Sequence, residues 1–302
     1  MWIDKPSNLM PNSVSVPDPV LSENPSADPD PPGHLPWPER RDWLRERLRQ
    51  HPLSDIGEDE MEVHFAGMPW HYWERVNQSD LVWGLETIHG FLQIVATPNV
   101  PATAPFLSWR HDPSSGWTRV MLCTWDRPSL LAKCAACFSA VKLNISQAEV
   151  FNRADNLALD VFRVREQGSH SPASPARLRE LAFLLDGALS EPPRFASVWA
   201  CSRHKFLASP PRIGHRIRFD NDSAADSTVL RVEASDRLGL LYDIVQALAD
   251  NGVNITQAHI QTDDDVARDT LQLTDSEGRK ILDPAQLERL RRCLEDALAV
   301  IQ

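Results

Sequence analysis

The sequence predicts an α+β protein: two ferredoxin-like βαββαβ units in tandem, preceded by a short helical segment and a disordered, proline-rich arm. Three observations carry this. The C-terminal part repeats internally, hydrophobic periodicity within each copy alternates between strand and helix spacing, and prolines crowd the N-terminus. The chain has 302 residues, of which 42% are hydrophobic, enough for two domains with real cores.

The repeat comes first because everything else is read against it. Asp126-Arg127-Pro128-Ser129-Leu130-Leu131 returns 110 residues later as Asp236-Arg237-Leu238-Gly239-Leu240-Leu241. Asn144-Ile145-Ser146-Gln147-Ala148 returns as Asn254-Ile255-Thr256-Gln257-Ala258. Between 126–150 and 236–260, 8 of 25 positions are identical. After a one-residue gap the match resumes at offset 109, where Pro175 aligns with Pro284 and 7 of 15 positions agree. Two blocks in order at nearly one offset are hard to explain without duplication.

Residues 1–38 hold ten of the 24 prolines and few long apolar side chains. Such a stretch cannot bury enough surface to offset its chain entropy, so it is expected to be disordered. Residues 39–115 form the helical segment. Glu39 to Gln50 places Trp43, Leu44 and Leu48 on one face, and Ser79 is the expected N-cap of a second helix running to Leu92. Proline and turn formers mark 96–116 as a loop. Trp70, Trp73 and Trp83 are expected to anchor these helices.

The two units span 117–222 and 227–302. Each opens with an alternating strand, Val120, Leu122 and Thr124 in one and Leu230, Val232 and Ala234 in the other. A helix follows, with Leu130, Leu131, Cys134, Cys137, Phe138 and Val141 on one side, or Leu240, Leu241, Ile244, Val245 and Leu248 in the copy. Strands are predicted at 144–151 and 157–164, and at 254–262 and 268–274. The second helices start at Ser174-Pro175 and Asp283-Pro284, a capping residue followed by proline. Arg216 to Asp220 is expected to close the first unit. A lone copy leaves sheet edges bare, so the units are expected to pair side by side as one sheet of about eight strands, helices on one face.

The pattern with chemical content is the loop between first strand and first helix. In the second copy it is Asp236, Arg237, Leu238, Gly239 and Leu240, with Asn254 and Ile255 opening the next strand beside it. A glycine admits a ligand close to the backbone, and helix-start amides attract a carboxylate. The first copy offers Asp126, Arg127, Pro128 and Ser129, with Asn144 and Ile145. Two readings fit: a seat for an α-amino acid, or a capping aspartate and a tight turn.

Catalytic, metal and cofactor chemistry find no support. Cys134 and Cys137 lie on an apolar helix stripe, which suits core residues. His111-Asp112 lacks further ligands on a rigid scaffold. Nucleotidyl transfer needs a Gly-Ser turn closely followed by acidic metal ligands. Asp28-Pro29-Asp30 has no such turn upstream, and Gly168-Ser169 meets Asp263 and Asp265 only far along the chain. The charge balance, 31 − 42 = −11, argues against nucleic acid or an anionic membrane as main partner. No apolar run suits a transmembrane helix, no secretory signal opens the chain, and five cysteines form an odd set, so a cytoplasmic location is expected.

The tandem resembles paired ACT domains, small amino-acid-sensing modules, and in particular the C-terminal region of bacterial PII uridylyltransferases. The resemblance covers about residues 65–302. It includes Met68-Pro69 with Tyr72, Ala158-Leu159-Asp160-Val161-Phe162, and Arg218-Phe219-Asp220-Asn221. It implies an amino-acid ligand, glutamine first, and a role in nitrogen or amino-acid signalling. Ser129 stands where the family usually has glycine and Leu238 where it has proline, so the first pocket is expected to be the weaker. The family's nucleotidyltransferase and HD domains need several hundred residues, and about 64 precede the resemblance. Three functions follow: a non-catalytic regulatory module, working with a protein partner or as a homodimer through its sheet edges; a uridylyltransferase-type enzyme acting with a separate catalytic chain; or a structural dimerisation pair without ligand.

Overall fold

The structure, a computed structural model, describes residues 35–50, 53, 55–98, 100–112, 115–168, 171–189 and 214–299. All but the last residues of the proline-rich arm, and Asp28-Pro29-Asp30 within it, lie outside these, as does Ser169. Four helices come first: α1 (Trp37–Gln50), α2 (Glu58–Gly67), α3 (Trp70–Arg75) and α4 (Gln78–Val95). The first half continues with β1 (Phe106–Asp112), β2 (Trp117–Trp125), α5 (Leu130–Ala140), β3 (Leu143–Asn152), β4 (Leu157–Glu166) and α6 (Pro175–Leu189). The second half is β5 (Arg216–Asp220), β6 (Thr228–Ser235), α7 (Leu240–Asp250), β7 (Asn254–Asp263), β8 (Val266–Thr274) and α8 (Pro284–Leu298).

The halves do join through one antiparallel sheet of eight strands, in the order β1-β2-β4-β3-β7-β8-β6-β5. The seam is β3 against β7, with Gln147 opposite Gln261 and Val150 opposite Ala258. The inner edges expected to serve pairing are therefore spent on each other within one chain. The outer edges are β1 and β5. Among the described residues no helix is long and apolar enough to cross a membrane.

Two strands differ from expectation. The stretch read as a loop contains β1, which pairs with β2 from Phe106 opposite Cys123 to Asp112 opposite Trp117. Arg216–Asp220 does not close the first half; it pairs with β6, Arg216 opposite Glu233, and opens the second. In both halves the outermost strand thus precedes the strand it pairs with. The free edge of a central strand needs a partner, and the nearest chain supplies it by a short connection. Helix starts shift too. The cap of α4 is Asn77, not Ser79: the Asp80 backbone amide donates to Asn77 Oδ1 at 2.7 Å. Helix α1 begins at Trp37, inside the stretch read as arm.

Period-two alternation divides each strand between the faces of the sheet. Val120 and Leu122 join the core under α5–α8, together with Phe162, Leu230, Val232 and Leu271. On the first half the opposite face is also apolar. Met121, Cys123, Phe151 and Leu159 lie under α1–α4, packed with Phe65, Trp73, Leu85 and Phe91. Helices therefore cover both faces of this half, not one face as expected. At the matching positions of the second half, Met121 becomes Arg231 and Cys123 becomes Glu233. A charged surface needs no cover, so the pre-repeat helices stop at the seam. There Arg75 of α3 meets Glu149 of β3 and His259 of β7. Trp73 and Trp83 are buried, whereas Trp70 is 49% exposed and meets the ring of its neighbour His71 edge-on. Cys134 and Cys137 are core residues whose thiols burial pushes up. His111 lies in β1, its Nδ1 2.9 Å from Thr118 Oγ1.

Candidate functional site between the repeats

Each Asp-Arg loop is pinned by its own hairpin. The Asp126 amide donates to the Asn156 carbonyl at 2.7 Å, and the Asp236 amide to the Asp265 carbonyl at 2.8 Å. The residue before each helix is left-handed: Ser129 at φ 63° and Gly239 at φ 81°. Only glycine adopts that conformation without strain. The two arginines serve the frame. Arg127 donates to the carbonyls of Leu189 (2.6 Å), Thr103 (3.3 Å) and Trp125 (3.2 Å) and to Thr124 Oγ1 (2.7 Å). Arg237 donates to the Ala297 carbonyl at 3.1 Å and pairs with Asp243 at 2.6 Å. Each thereby ties its loop to the last turn of the second helix in its half, satisfying carbonyls the helix leaves free.

The antiparallel β3–β7 seam relates the halves by a pseudo-twofold, and this changes which residues meet. The sequence reading set Gly239 beside Asn254. Instead, Asp126, Ser129 and Leu130 share a cavity with Asn254 and Ile255 of the other half. Asp236, Gly239 and Leu240 share one with Asn144 and Ile145. Leu238 is buried and lines neither, while Pro128 lines the first.

The cavities differ sharply in size. The one under Ser129 measures about 320 Å³. The one under Gly239 measures about 20 Å³, room for about one water molecule. Directly at the loop, the copy expected to be weaker thus holds the larger space, although Asn144 and Asp236 of the other copy also border a separate cavity of about 380 Å³ with Trp117, Arg165 and Asp265. Two differences account for this. Asn144 Nδ2 donates to Asp236 Oδ2 at 3.1 Å and closes the second site, whereas Asn254 turns to the Asp275 carbonyl at 3.2 Å. Tyr242 of α7 lines the closed cavity, and its counterpart 110 residues earlier in the open one is Ala132.

Both cavities are floored by an aspartate that the loop motif did not flag. Asp160 on β4 lies opposite Leu122 and Val150; Asp269 on β8 lies opposite Val232 and Ile260. They are the same position of the repeat, and Ala158-x-Asp160 and Ala267-x-Asp269 are related by the same offset of 109 that aligned the second helices. Asp160 is 1% exposed and neither carboxylate oxygen has a hydrogen-bond partner; Asp269 is 2% exposed and its Oδ1 has none. Burial pushes Asp160 well above the usual carboxylate range, and the charge of Asp126 adds to it. The Phe151 amide offsets this only in part, lying outside hydrogen-bond geometry. Burial, aided by Asp236, raises Asp269 to about 8. At the loops, burial raises Asp126 despite Arg127, and Asp236 despite its bond from Asn144. No group of three or more potential metal ligands occurs among the described residues.

Residues 223–300 match the ACR family N-terminal ACT domain. Curated relatives named bifunctional uridylyltransferase/uridylyl-removing enzyme match over more of the chain. The protein of Rhodospirillum rubrum is 29% identical over 198 residues, 62% of this chain and 20% of the relative. That of Caulobacter vibrioides is 32% identical over 193 residues, again 62% and 20%. That of Azospirillum brasilense is 29% identical over 253 residues, 82% of this chain and 26% of the relative. A crystal structure of an unknown protein from Galdieria sulphuraria covers 60% of this chain at 14% identity and a TM-score of 0.21, too low to bear on the fold. The chain thus carries an ACT domain at residues 223–300 and is homologous to the C-terminal region of the bifunctional uridylyltransferase/uridylyl-removing enzymes, spanning about a fifth to a quarter of their length.

Proposed function

We propose that this chain is a regulatory module in nitrogen or amino-acid signalling that binds one small amino acid, glutamine first, between its two repeats. The observation that carries the reading is the open cavity of about 320 Å³, bounded by the loop at the start of α5 on one side and Asn254–Ile255 on the other. The first-turn amides of α5 suit a carboxylate, and the size suits an amino acid. Because both halves line the cavity, a ligand there would tighten the β3–β7 seam, which is how occupancy would reach a partner. The closed second cavity favours a structural role for that copy.

The test is a melting series of the full chain with each of the twenty amino acids. A ligand present at about 100 times its dissociation constant stabilises the fold by about 2.7 kcal/mol. For a chain of this size that is a rise of roughly 4–5 °C. No shift with any amino acid refutes the reading.

A further inference from the structure

We propose that Asp160 is the seat of the ligand's ammonium group, so that the open cavity selects amines and discharges a proton when it fills. The inference rests on the reading of this cavity as an amino-acid site and names the contact that would decide its selectivity.

A buried carboxylate without a partner is rare and costly, because it has lost water and gained nothing in return. Asp160 is such a group, 1% exposed with both oxygens unpaired, and it lines the cavity. A second carboxylate, Asp126, lines the same space, its Oδ2 accepting from the Asn152 side-chain amide at 2.9 Å and its charge eased by the Arg127 backbone amide. The one cation in the lining, Arg127, gives its guanidinium to carbonyls and a hydroxyl of the frame. Two acids therefore face a cavity whose own arginine is engaged elsewhere. A primary ammonium, with three donors and one charge, is the complement of that lining. A bare divalent ion fits less well, since the positive end of α5 also faces the cavity. An α-amino acid satisfies both ends at once, its ammonium at Asp160 and its carboxylate at the helix start.

The closed copy gives the contrast. Asp269 occupies the same repeat position and is equally buried, but Tyr242 and the Asn144–Asp236 bond leave no room for a ligand above it. The open copy has kept the carboxylate together with the space.

Proton release follows from the groups around Asp160. Asp126 repels it from the loop, Arg127 is engaged elsewhere, and the Cys123 and Cys134 thiols stay neutral because burial raises them. Burial first, and the charge of Asp126 second, thus favour the protonated carboxyl in the empty site, and an arriving ammonium displaces that proton to solvent while the carboxylate ionises.

The experiment is calorimetric titration of the full chain with L-glutamine, and with any other amino acid that raises the melting point. It is run at neutral pH in two buffers of different ionisation enthalpy. Each ligand is paired with its deaminated counterpart, 5-amino-5-oxopentanoate for glutamine. We expect release of close to one proton per site and loss of binding by the deaminated acid. Asp160→Asn should weaken binding about ten- to a hundredfold, as for a charged hydrogen-bond partner. Binding without proton release, or equal binding of the deaminated acid, overturns the inference while leaving the amino-acid site intact. Magnesium alone competing for the site overturns it in favour of a metal. If no amino acid binds the wild-type chain, the functional reading falls and this inference falls with it. The buffer comparison needs only wild-type protein, so a poorly folding Asp160→Asn does not spare the claim.

Discussion

Replacing Asp269 by asparagine should remove a stability penalty that grows with pH. The carboxyl, ordinarily near 3.8, is raised to about 8 in the fold by burial and by Asp236. Between those values the folded chain keeps a proton that the unfolded chain has lost, so stability falls as pH rises and levels off above about 8. Buried His64 and His71, lowered to about 3 and about 4, act in the opposite sense. They stay neutral in the fold while the unfolded chain takes up protons below 6.5, so they add stability as pH rises to that point. Comparing variant with wild type cancels the histidines and the similar contribution of Asp160. Between pH 6.5 and pH 8 the Asp269 penalty then grows by roughly 2 kcal/mol, since each pH unit of differential protonation is worth about 1.4 kcal/mol and the slope halves near the end. Arg237 lines the same cavity but is paired with Asp243, and so leaves Asp269 without a counter-charge. The assay is urea unfolding of both proteins at steps across this window. The advantage of Asp269→Asn over wild type should widen by that amount. A gap that stays constant with pH would refute a protonated Asp269.

Ala132→Tyr should fill the open cavity as Tyr242 fills the closed one, abolishing any amino-acid-induced melting shift without altering a polar group; a shift that survives moves the site elsewhere. Ser129→Gly should relieve the left-handed backbone at φ 63°, raising stability by about 0.5–1 kcal/mol in urea melts. An unchanged midpoint would show that Ser129 carries no strain. Gly239→Val, at φ 81°, should cost about 1–3 kcal/mol by the same argument reversed. Phe151→Ala should empty space between β3 and the pre-repeat helices, where Phe151 touches Tyr72 edge-on at 5.1 Å between ring centres. The expected loss is about 3–5 kcal/mol, and a loss under about 1 kcal/mol would mean that α1–α4 rest only loosely on the sheet.

The duplication, the helix stripes and the alternating strands were legible in the sequence because they are local. Leu240, Leu241, Ile244, Val245 and Leu248 recur at helix spacing whatever they pack against. Val120 and Leu122 alternate with their neighbours because a strand has two faces. The Asp-Arg loops were legible as the one polar pattern that both copies keep. Asp160 and Asp269 could have been read from the offset of 109, but an acid inside a strand carries no local mark of burial. The first outer strand was hidden because the prolines flanking β1 speak for turns, and only the vacant edge of β2 makes that segment extended. The partners of each loop were decided by tertiary structure alone. The antiparallel β3–β7 seam sets Asn254 against the first loop and Asn144 against the second, crossing a pairing that chain order kept within each repeat. Which cavity opens was likewise beyond the motif. It turns on Ala132 against Tyr242 and on whether an asparagine reaches across the seam, and steric filling of a shared space is a property of two packed surfaces, not of either sequence copy.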